Sequence, residues 1–179
     1  MIEIHINSLF NSVSYKIGNI IIDPGDEWEG FTNVKAILLT HAHFDHIYGL
    51  NKTIELNPEA IVFTNKEGRE MLLDSKLNLS SYHESSFIFN YPENIIIVKD
   101  NDIMDFGEAL KVEIYETPGH NPSCLSFIIG DYIFTGDSYI PGCKTVTNLP
   151  NGDKILAEKS IEKILNLAHN KIIMPGHKI

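Results

Sequence analysis

The alternation of apolar and polar positions predicts strands in both halves of the chain. Residues 2–6 alternate isoleucine with polar neighbours, the period-two pattern of a half-buried strand. Residues 13–17 and 19–23 flank Gly18 and predict a hairpin. Residues 36–40 are almost wholly apolar, as is typical of a central strand. Further strands are predicted at 86–90, 95–98, 103–106, 110–116, 125–129, 132–135 and 171–174.

Helical patterns interrupt the strands in three places. Residues 46–56 predict a short helix, and Thr64-Asn65-Lys66-Glu67 resembles a capping box that opens a helix to about residue 74. Asp153 can cap a third helix that runs to about residue 168. Its apolar face is predicted to contain Ala157, Ile161, Ile164, Leu165 and Ala168. Two strand-rich halves with helices predict layered sheets covered by helices.

Composition narrows the class of protein. The 179 residues suit one domain spanning 1–179, and 24 acidic against 14 basic residues give a net charge of −10. Without a dense basic cluster, nucleic acid is not expected as a partner. No apolar stretch is long enough for a membrane span, and the acidic, alternating N-terminus does not resemble a secretory signal, so a cytoplasmic location is expected. Cys124 and Cys143 are expected to be reduced thiols, with Cys124 packed inside and Cys143 in a polar loop.

Metal-binding residue types recur where predicted strands end. The segment "THAHFDH" at 40–46 follows one strand, and the turns at 117–120, 135–137 and 174–177 follow three others. A sheet presents chemistry through such loops, and imidazole with carboxylate suits zinc and similar divalent ions. His41 and His43 can point the same way, while Asp45 and His46 can address a second ion. The isolated histidines, at 5, 83 and 169, are interpreted as ordinary surface or core residues.

These residues resemble the signature of the metallo-β-lactamase superfamily. H-x-H-x-D-H is present at 41–46, and the remaining family ligands match His120, Asp137 and His177 in the expected order. The resemblance implies an α/β (α+β) fold, a four-layer αββα sandwich of two mixed sheets packed face to face with helices outside. It also implies that His41, His43 and His120 hold one metal, that Asp45, His46 and His177 hold a second, and that Asp137 bridges them.

One further aspartate and three phrases refine the resemblance. Asp23 of "IIDPG" matches a residue that orients a ligand histidine, although it could equally cap the turn before Pro24-Gly25. The phrases "TPGHNPSC", "IFTGDS" and "IIMPGH" look most like the glyoxalase II-like (hydroxyacylglutathione hydrolase-like) small hydrolases. The sequence departs from them at Lys144-Thr145, where Gly-Arg is common. Because the sequence ends two residues after His177, the helical glutathione-binding domain of larger glyoxalase II enzymes is expected to be absent.

The resemblance therefore predicts a metal-dependent hydrolase of a small-molecule thioester or ester. A hydroxide held by two divalent ions would attack the carbonyl, and Asp45 would accept a hydrogen bond from it. Zinc is the expected ion, with iron or manganese as alternatives. A lactonase, a phosphodiesterase, an iron-dependent sulfur dioxygenase and a non-catalytic member remain alternatives, whereas a true β-lactamase commonly has Cys in place of Asp137. Phe44, Tyr48, Tyr139 and Lys144 are candidates for the pocket wall without a catalytic role, and the oligomeric state is left open.

Overall fold

The computed structural model describes residues 1–107 and 110–178 and arranges their strands in two sheets. The first sheet contains β1 (Ile2–Ile6), β2 (Val13–Ile17), β3 (Ile20–Ile22), β4 (Ala36–Leu38), β5 (Ile61–Thr64) and β6 (Ile95–Ile97), hydrogen-bonded in that order. The second contains β7 (Ile103–Asp105), β8 (Lys111–Glu116), β9 (Leu125–Ile129), β10 (Tyr132–Gly136) and β11 (Ile172–Pro175) in the order β11-β10-β9-β8-β7.

Both sheets are mixed. In the first, β1, β2 and β3 are antiparallel neighbours, while β4, β5 and β6 continue parallel to β3. In the second, β10 and β11 are parallel and the remaining pairs are antiparallel. The described helices are α1 (Leu50–Leu56), α2 (Lys66–Leu72) and α3 (Lys154–Leu167). None of these described helices is long and apolar enough to cross a membrane.

Three groups of buried side chains hold the layers together. The core between the sheets includes Ile20, Leu38, Ile114, Phe127 and Phe134, all at most 1% exposed. A second group joins the first sheet to α1 and α2, and a third joins the second sheet to α3. Since burial of apolar surface is the main favourable term in folding, these contacts fix the order helix, sheet, sheet, helix. The predicted αββα sandwich is confirmed.

Polar side chains cap α2 and α3, and the helix starts differ from the prediction in two places. The Asn65 side chain, rather than Thr64, caps α2 by accepting a hydrogen bond from the Gly68 amide at 2.8 Å. Asp153 caps α3 as predicted, accepting from the Leu156 amide at 2.9 Å. Residues 44–46 form one 3₁₀ turn, so the helix predicted from residue 46 begins only at Leu50.

Two strand assignments differ from the sequence pattern. The strand at Ile61–Thr64 is not among those predicted, and it completes the parallel part of the first sheet. Residues 86–90 are not a strand, although Phe87 and Phe89 are both buried against the helices. The backbone amide of Phe87 donates to the Ser80 hydroxyl, and that of Phe89 donates to the Leu72 carbonyl. These amides are therefore hydrogen-bonded without a neighbouring strand.

Two predicted apolar faces are only partly covered. Ile4 and Ile6 alternate as expected, but they are 58% and 42% exposed because β1 is the edge strand of its sheet. In α3, Ala157 and Ile164 are buried with Ser160, whereas Leu165 is 49% exposed. Alternation and helical spacing show which residues share a face, but an adjacent layer must be present for that face to be buried.

Candidate metal centre

The candidate ligands lie where strands of both sheets end. His41 to His46 follow β4, and Asp23 follows its parallel neighbour β3. In the second sheet His120, Asp137 and His177 follow β8, β10 and β11, three strands that run in one direction. Strands that run the same way end at the same edge of a sheet. The two sheets therefore place their ligands at one shared edge.

The first group of ligand atoms consists of three buried histidines. His41, His43 and His120 offer nitrogens that all lie within 4.8 Å of one another. The Nε2 atom of His120 is 2.9 Å from the Nδ1 atom of His43. Burial and the neighbouring histidines lower the pKa of His41 and bring the pKa of His43 to about 3. Both rings are consequently neutral at physiological pH, the state in which imidazole binds a metal.

The second group combines two histidines with a carboxylate. Ligand atoms of Asp45, His46 and His177 also lie within 4.8 Å of one another. The Nε2 atoms of His46 and His177 are 3.3 Å apart, and Oδ2 of Asp45 is 3.3 Å from Nε2 of His177. Burial opposes protonation of both rings, but adjacent carboxylates raise the pKa of His46 to about 9 and of His177 to about 11. A metal bound here would have to displace those protons.

Asp137 lies between the two groups. Its Oδ2 atom is 3.6 Å from Nε2 of His120 and 3.3 Å from Nε2 of His177, and its Oδ1 atom is 3.6 Å from Nε2 of His46. The register between β10 and β11 shifts between Phe134 and Gly136, directly before this residue. Such a break in regular pairing redirects the chain, and here the next residue lies within 3.6 Å of histidines from both groups.

Asp23 supports His46 from behind. Its carboxylate is 1% exposed and lies 3.1 Å from Nδ1 of His46. It also accepts hydrogen bonds from the Thr40 amide at 2.7 Å and from the Thr40 hydroxyl. Burial raises the pKa of Asp23, although the bonds from His46 and Thr40 oppose that shift. The arrangement leaves Nε2 of His46 free to face the ligand groups, as expected for an orienting aspartate.

Two backbone carbonyls and an amide orient other ligand histidines. The Val146 carbonyl lies 2.8 Å from Nδ1 of His120, and the Phe10 carbonyl lies 2.9 Å from Nδ1 of His177. The side-chain amide of Asn121 is 3.3 Å from Nε2 of His43. In each of these rings one nitrogen is held by its partner, so the other nitrogen faces the ligand groups. Sequence reasoning did not identify these partners, and carbonyl groups give no residue-specific signal.

Two buried atoms indicate that the site suits a metal. Within the described part of the chain, Nε2 of His41 and Oδ1 of Asp137 are buried without a hydrogen-bond partner. An unsatisfied buried polar atom is costly, and a bound cation would give both atoms a partner. The donors are imidazole and carboxylate, which suit zinc, iron and manganese. The residues could hold two divalent ions, one in each group.

The mouth of the site has apolar walls. A cavity of about 320 Å³ is lined by His43, Asp45, His120, Asp137 and His177 of the ligand groups, and also by Phe10, Phe44, Leu79, Val146 and Leu149. Of the four sequence candidates for this wall, only Phe44 is placed on it.

The other three candidates lie elsewhere. Tyr48 lines a neighbouring cavity, and Tyr139 packs on the group beside α3. Lys144 is exposed and outside the cavity walls. Proximity in sequence was therefore a poor guide to the wall, whose residues come from four separate segments.

Comparison with known proteins identifies the family. A family model described as the metallo-β-lactamase superfamily matches residues 10–177. The probable metallo-hydrolase YqgX of Bacillus subtilis is 31% identical over 170 residues, which cover 88% of this chain and 79% of that protein. The hydroxyacylglutathione hydrolase GloC of Haemophilus influenzae is 31% identical over 173 residues, 88% of this chain and 78% of its own.

Solved structures agree on the fold. The BLEG-1 B3 metallo-β-lactamase superposes with a TM-score of 0.90 at 27% identity, covering 100% of this chain and 92% of its own. A protein crystallised in a di-iron-bound form gives a TM-score of 0.82 at 23% identity over 99% and 92% of the two chains. Because the family model spans nearly the whole chain and the ligand groups lie together at one sheet edge, this chain belongs to the metallo-β-lactamase superfamily, as one of its metallo-hydrolases.

Proposed function

We propose that this protein hydrolyses thioesters with two divalent metal ions, zinc being the first candidate. One observation carries the proposal: two complete ligand groups are joined by Asp137, whose buried Oδ1 atom has no partner among the described residues. In this proposal His41, His43 and His120 would hold one ion. Asp45, His46 and His177 would hold the other, and Asp137 is placed to serve both groups.

The ions would supply Lewis acidity and would lower the pKa of a water molecule toward neutrality. The remaining work falls to the protein. Asp45 is the candidate catalytic residue, because its carboxylate lies within the second group and its side chain is only 10% exposed. The charge of His46 helps to lower the pKa of Asp45, although burial opposes this shift. Asp45 therefore stays ionised and can accept a hydrogen bond from the attacking water.

No nucleophilic side chain competes with water for this role in the described site. Burial raises the pKa of the Cys124 thiol to about 12, which keeps it protonated. Cys143 is exposed and does not line the cavity that contains the ligands. Direct attack by water therefore fits the site better than a covalent acyl-enzyme.

The choice of thioesters rests on similarity. The relative from Haemophilus influenzae is named a hydroxyacylglutathione hydrolase, and such a substrate is a thioester. At 31% identity the similarity supports the class of bond more strongly than the identity of the thiol. The sulfur dioxygenase alternative needs a single iron, and the presence of a second ligand group favours the two-metal hydrolase.

The test is thiol release from zinc-loaded protein, with S-lactoylglutathione and a simple acyl thioester as substrates. His43→Ala and Asp137→Ala should lose bound metal and hydrolysis together, each falling at least about a hundredfold in kcat/KM. His169→Ala, which changes a histidine outside the ligand groups, is the matched control and should retain both. Undiminished turnover in either site variant with full metal content would refute the two-metal mechanism.

A further inference from the structure

An apolar groove continues outward from the metal centre. The cavity that contains the ligands shares Phe44, Leu79 and Leu149 with a second cavity of about 360 Å³. The second cavity is completed by Tyr82, His83 and Pro150. A molecule bound at the ligand groups can therefore extend along a continuous and predominantly apolar wall. We refer to these six residues as the outer groove.

Two residues whose side chains line these cavities have unfavourable backbone conformations. Phe10 has φ = 52° and Leu79 has φ = 68°, both in the left-handed region. For a bulky residue without a polar side chain this conformation is uncommon and costs free energy. Strain of this kind tends to persist at functional sites, where it aims a particular side chain. Here both strained residues place an apolar group beside the ligand groups.

The walls also leave apolar surface in contact with water. Phe10 is 62% exposed, Tyr82 76% and Leu149 37%. Phe10 and Phe44 meet edge to face with ring centroids 5.9 Å apart, and the His83 ring lies 4.9 Å from that of Phe44. Apolar side chains gathered around a concave site favour a ligand that covers them.

Charge argues against glutathione as the group that fills this path. None of the described residues that line the two cavities is a lysine or an arginine. The glutathione portion of a thioester carries two carboxylates, which are best bound by cationic side chains. The chain as a whole carries a net charge of −10, which gives such an anion no general attraction.

We infer that the outer groove binds the acyl group of the substrate and that this group is an uncharged, medium-length aliphatic or aryl-alkyl chain. The inference deepens the proposed thioester hydrolysis and rests on it. It identifies Leu79, Tyr82 and Leu149 as residues that determine specificity.

The experiment uses a series of N-acetylcysteamine thioesters with acetyl, butanoyl, hexanoyl and octanoyl groups, hydrolysed by the zinc-loaded protein. Each methylene that enters the groove should raise kcat/KM by about fourfold until the groove is full. S-lactoylglutathione should be a poorer substrate than the octanoyl ester. A flat dependence on chain length with good turnover would overturn the groove inference and leave thioester hydrolysis standing.

Substitutions in the outer groove test whether the dependence on acyl chain length arises there. Leu149→Asp and Tyr82→Ala should each lower the ratio of octanoyl to acetyl kcat/KM, by about tenfold or more for Leu149→Asp, which puts a charge on the apolar wall. The matched control is Ile103→Ala on β7, where an isoleucine that is 67% exposed lies outside both cavities. It should leave the ratio unchanged. An unchanged ratio in Leu149→Asp would also refute the inference.

Binding of a neutral fluorescent probe, N-phenyl-1-naphthylamine, separates the two proposals. Probe binding that is lost in Leu149→Asp but retained in Ile103→Ala supports an apolar groove whether or not any thioester is cleaved. If the probe binds in this way and no thioester is hydrolysed, the proposed function fails and the groove stands. If the probe binds equally to all variants, the groove inference fails.

Discussion

Replacing Asp23 with asparagine tests how the protein prepares His46 to bind a metal. In the native protein Oδ2 of Asp23 lies 3.1 Å from Nδ1 of His46, so Nδ1 keeps its proton and Nε2 is the nitrogen that gives up its proton to bind a metal. In Asp23→Asn the amide that replaces this oxygen donates a hydrogen bond. His46 must then accept at Nδ1 and carry its proton on Nε2, 3.6 Å from Asp45 and Asp137.

The magnitude follows from the contacts that are lost. Turning the new amide the other way would restore an acceptor to His46 but would set an NH₂ group against the Thr40 amide, which now donates to Asp23 at 2.7 Å. Leaving that buried amide unsatisfied costs about 1–3 kcal/mol. Either orientation should weaken metal binding by the group of Asp45, His46 and His177 about 10- to 100-fold. The group of His41, His43 and His120 should be much less affected.

Competition between the metal-free protein and a chromophoric zinc chelator measures both affinities. Asp26→Asn is the matched control, because Asp26 also contacts a histidine, with its Oδ1 atom 2.8 Å from Nε2 of His5, outside the ligand groups. It should bind two zinc ions with native affinity. If Asp23→Asn also binds two ions with native affinity, the assignment of Asp23 as an orienting residue is refuted.

Three further predictions concern stability and reactivity. The ligand groups join both sheets, so each zinc ion at a hundred times its Kd should add about 2.7 kcal/mol and raise Tm by roughly 5–10 °C in calorimetry; an unchanged Tm on adding chelator would contradict this. Gly136→Ala should lower the free energy of unfolding, measured in urea, by about 2 kcal/mol or more, because φ is 50° and the new Cβ would lie 2.3 Å from the Thr40 hydroxyl. Gly18→Ala should lower the free energy of unfolding by less, because φ is 57° but no heavy atom lies within 4 Å of the new Cβ. Mass spectrometry after iodoacetamide treatment should show Cys143 labelled in the native protein and Cys124 only after unfolding, given its burial and its pKa of about 12.

The sandwich and the ligand groups were predictable because both depend on residue type and strand position. His41 to His46 form one contiguous motif, and His120, Asp137 and His177 each follow a glycine turn after an apolar strand. The fold brings these strand ends together, and the division into two groups followed from the family resemblance. The metal-ligand roles themselves stay proposals that the zinc titration above tests.

The remaining features depended on contacts that a linear pattern does not contain. Phe87 and Phe89 show the alternation of a strand, yet their amides bond to Ser80 and Leu72 in irregular chain. The exposure of Ile4 depends on how far the neighbouring layer extends, which local sequence does not specify. Leu79 lines the mouth with a left-handed backbone, a conformation that is uncommon for leucine.

The two mouth residues that hold ligand histidines do so through their main chains. Phe10 and Val146 orient His177 and His120 with carbonyl oxygens, while their side chains line the entrance. A carbonyl is present whatever the side chain, so substitutions at these positions can change which molecules enter without removing the support for the ligands. Substrate selectivity depends on the side chains of these two residues, whereas the orientation of the metal ligands depends on their carbonyl groups. The first can therefore change without the second, which lets one scaffold acquire new substrates by single substitutions.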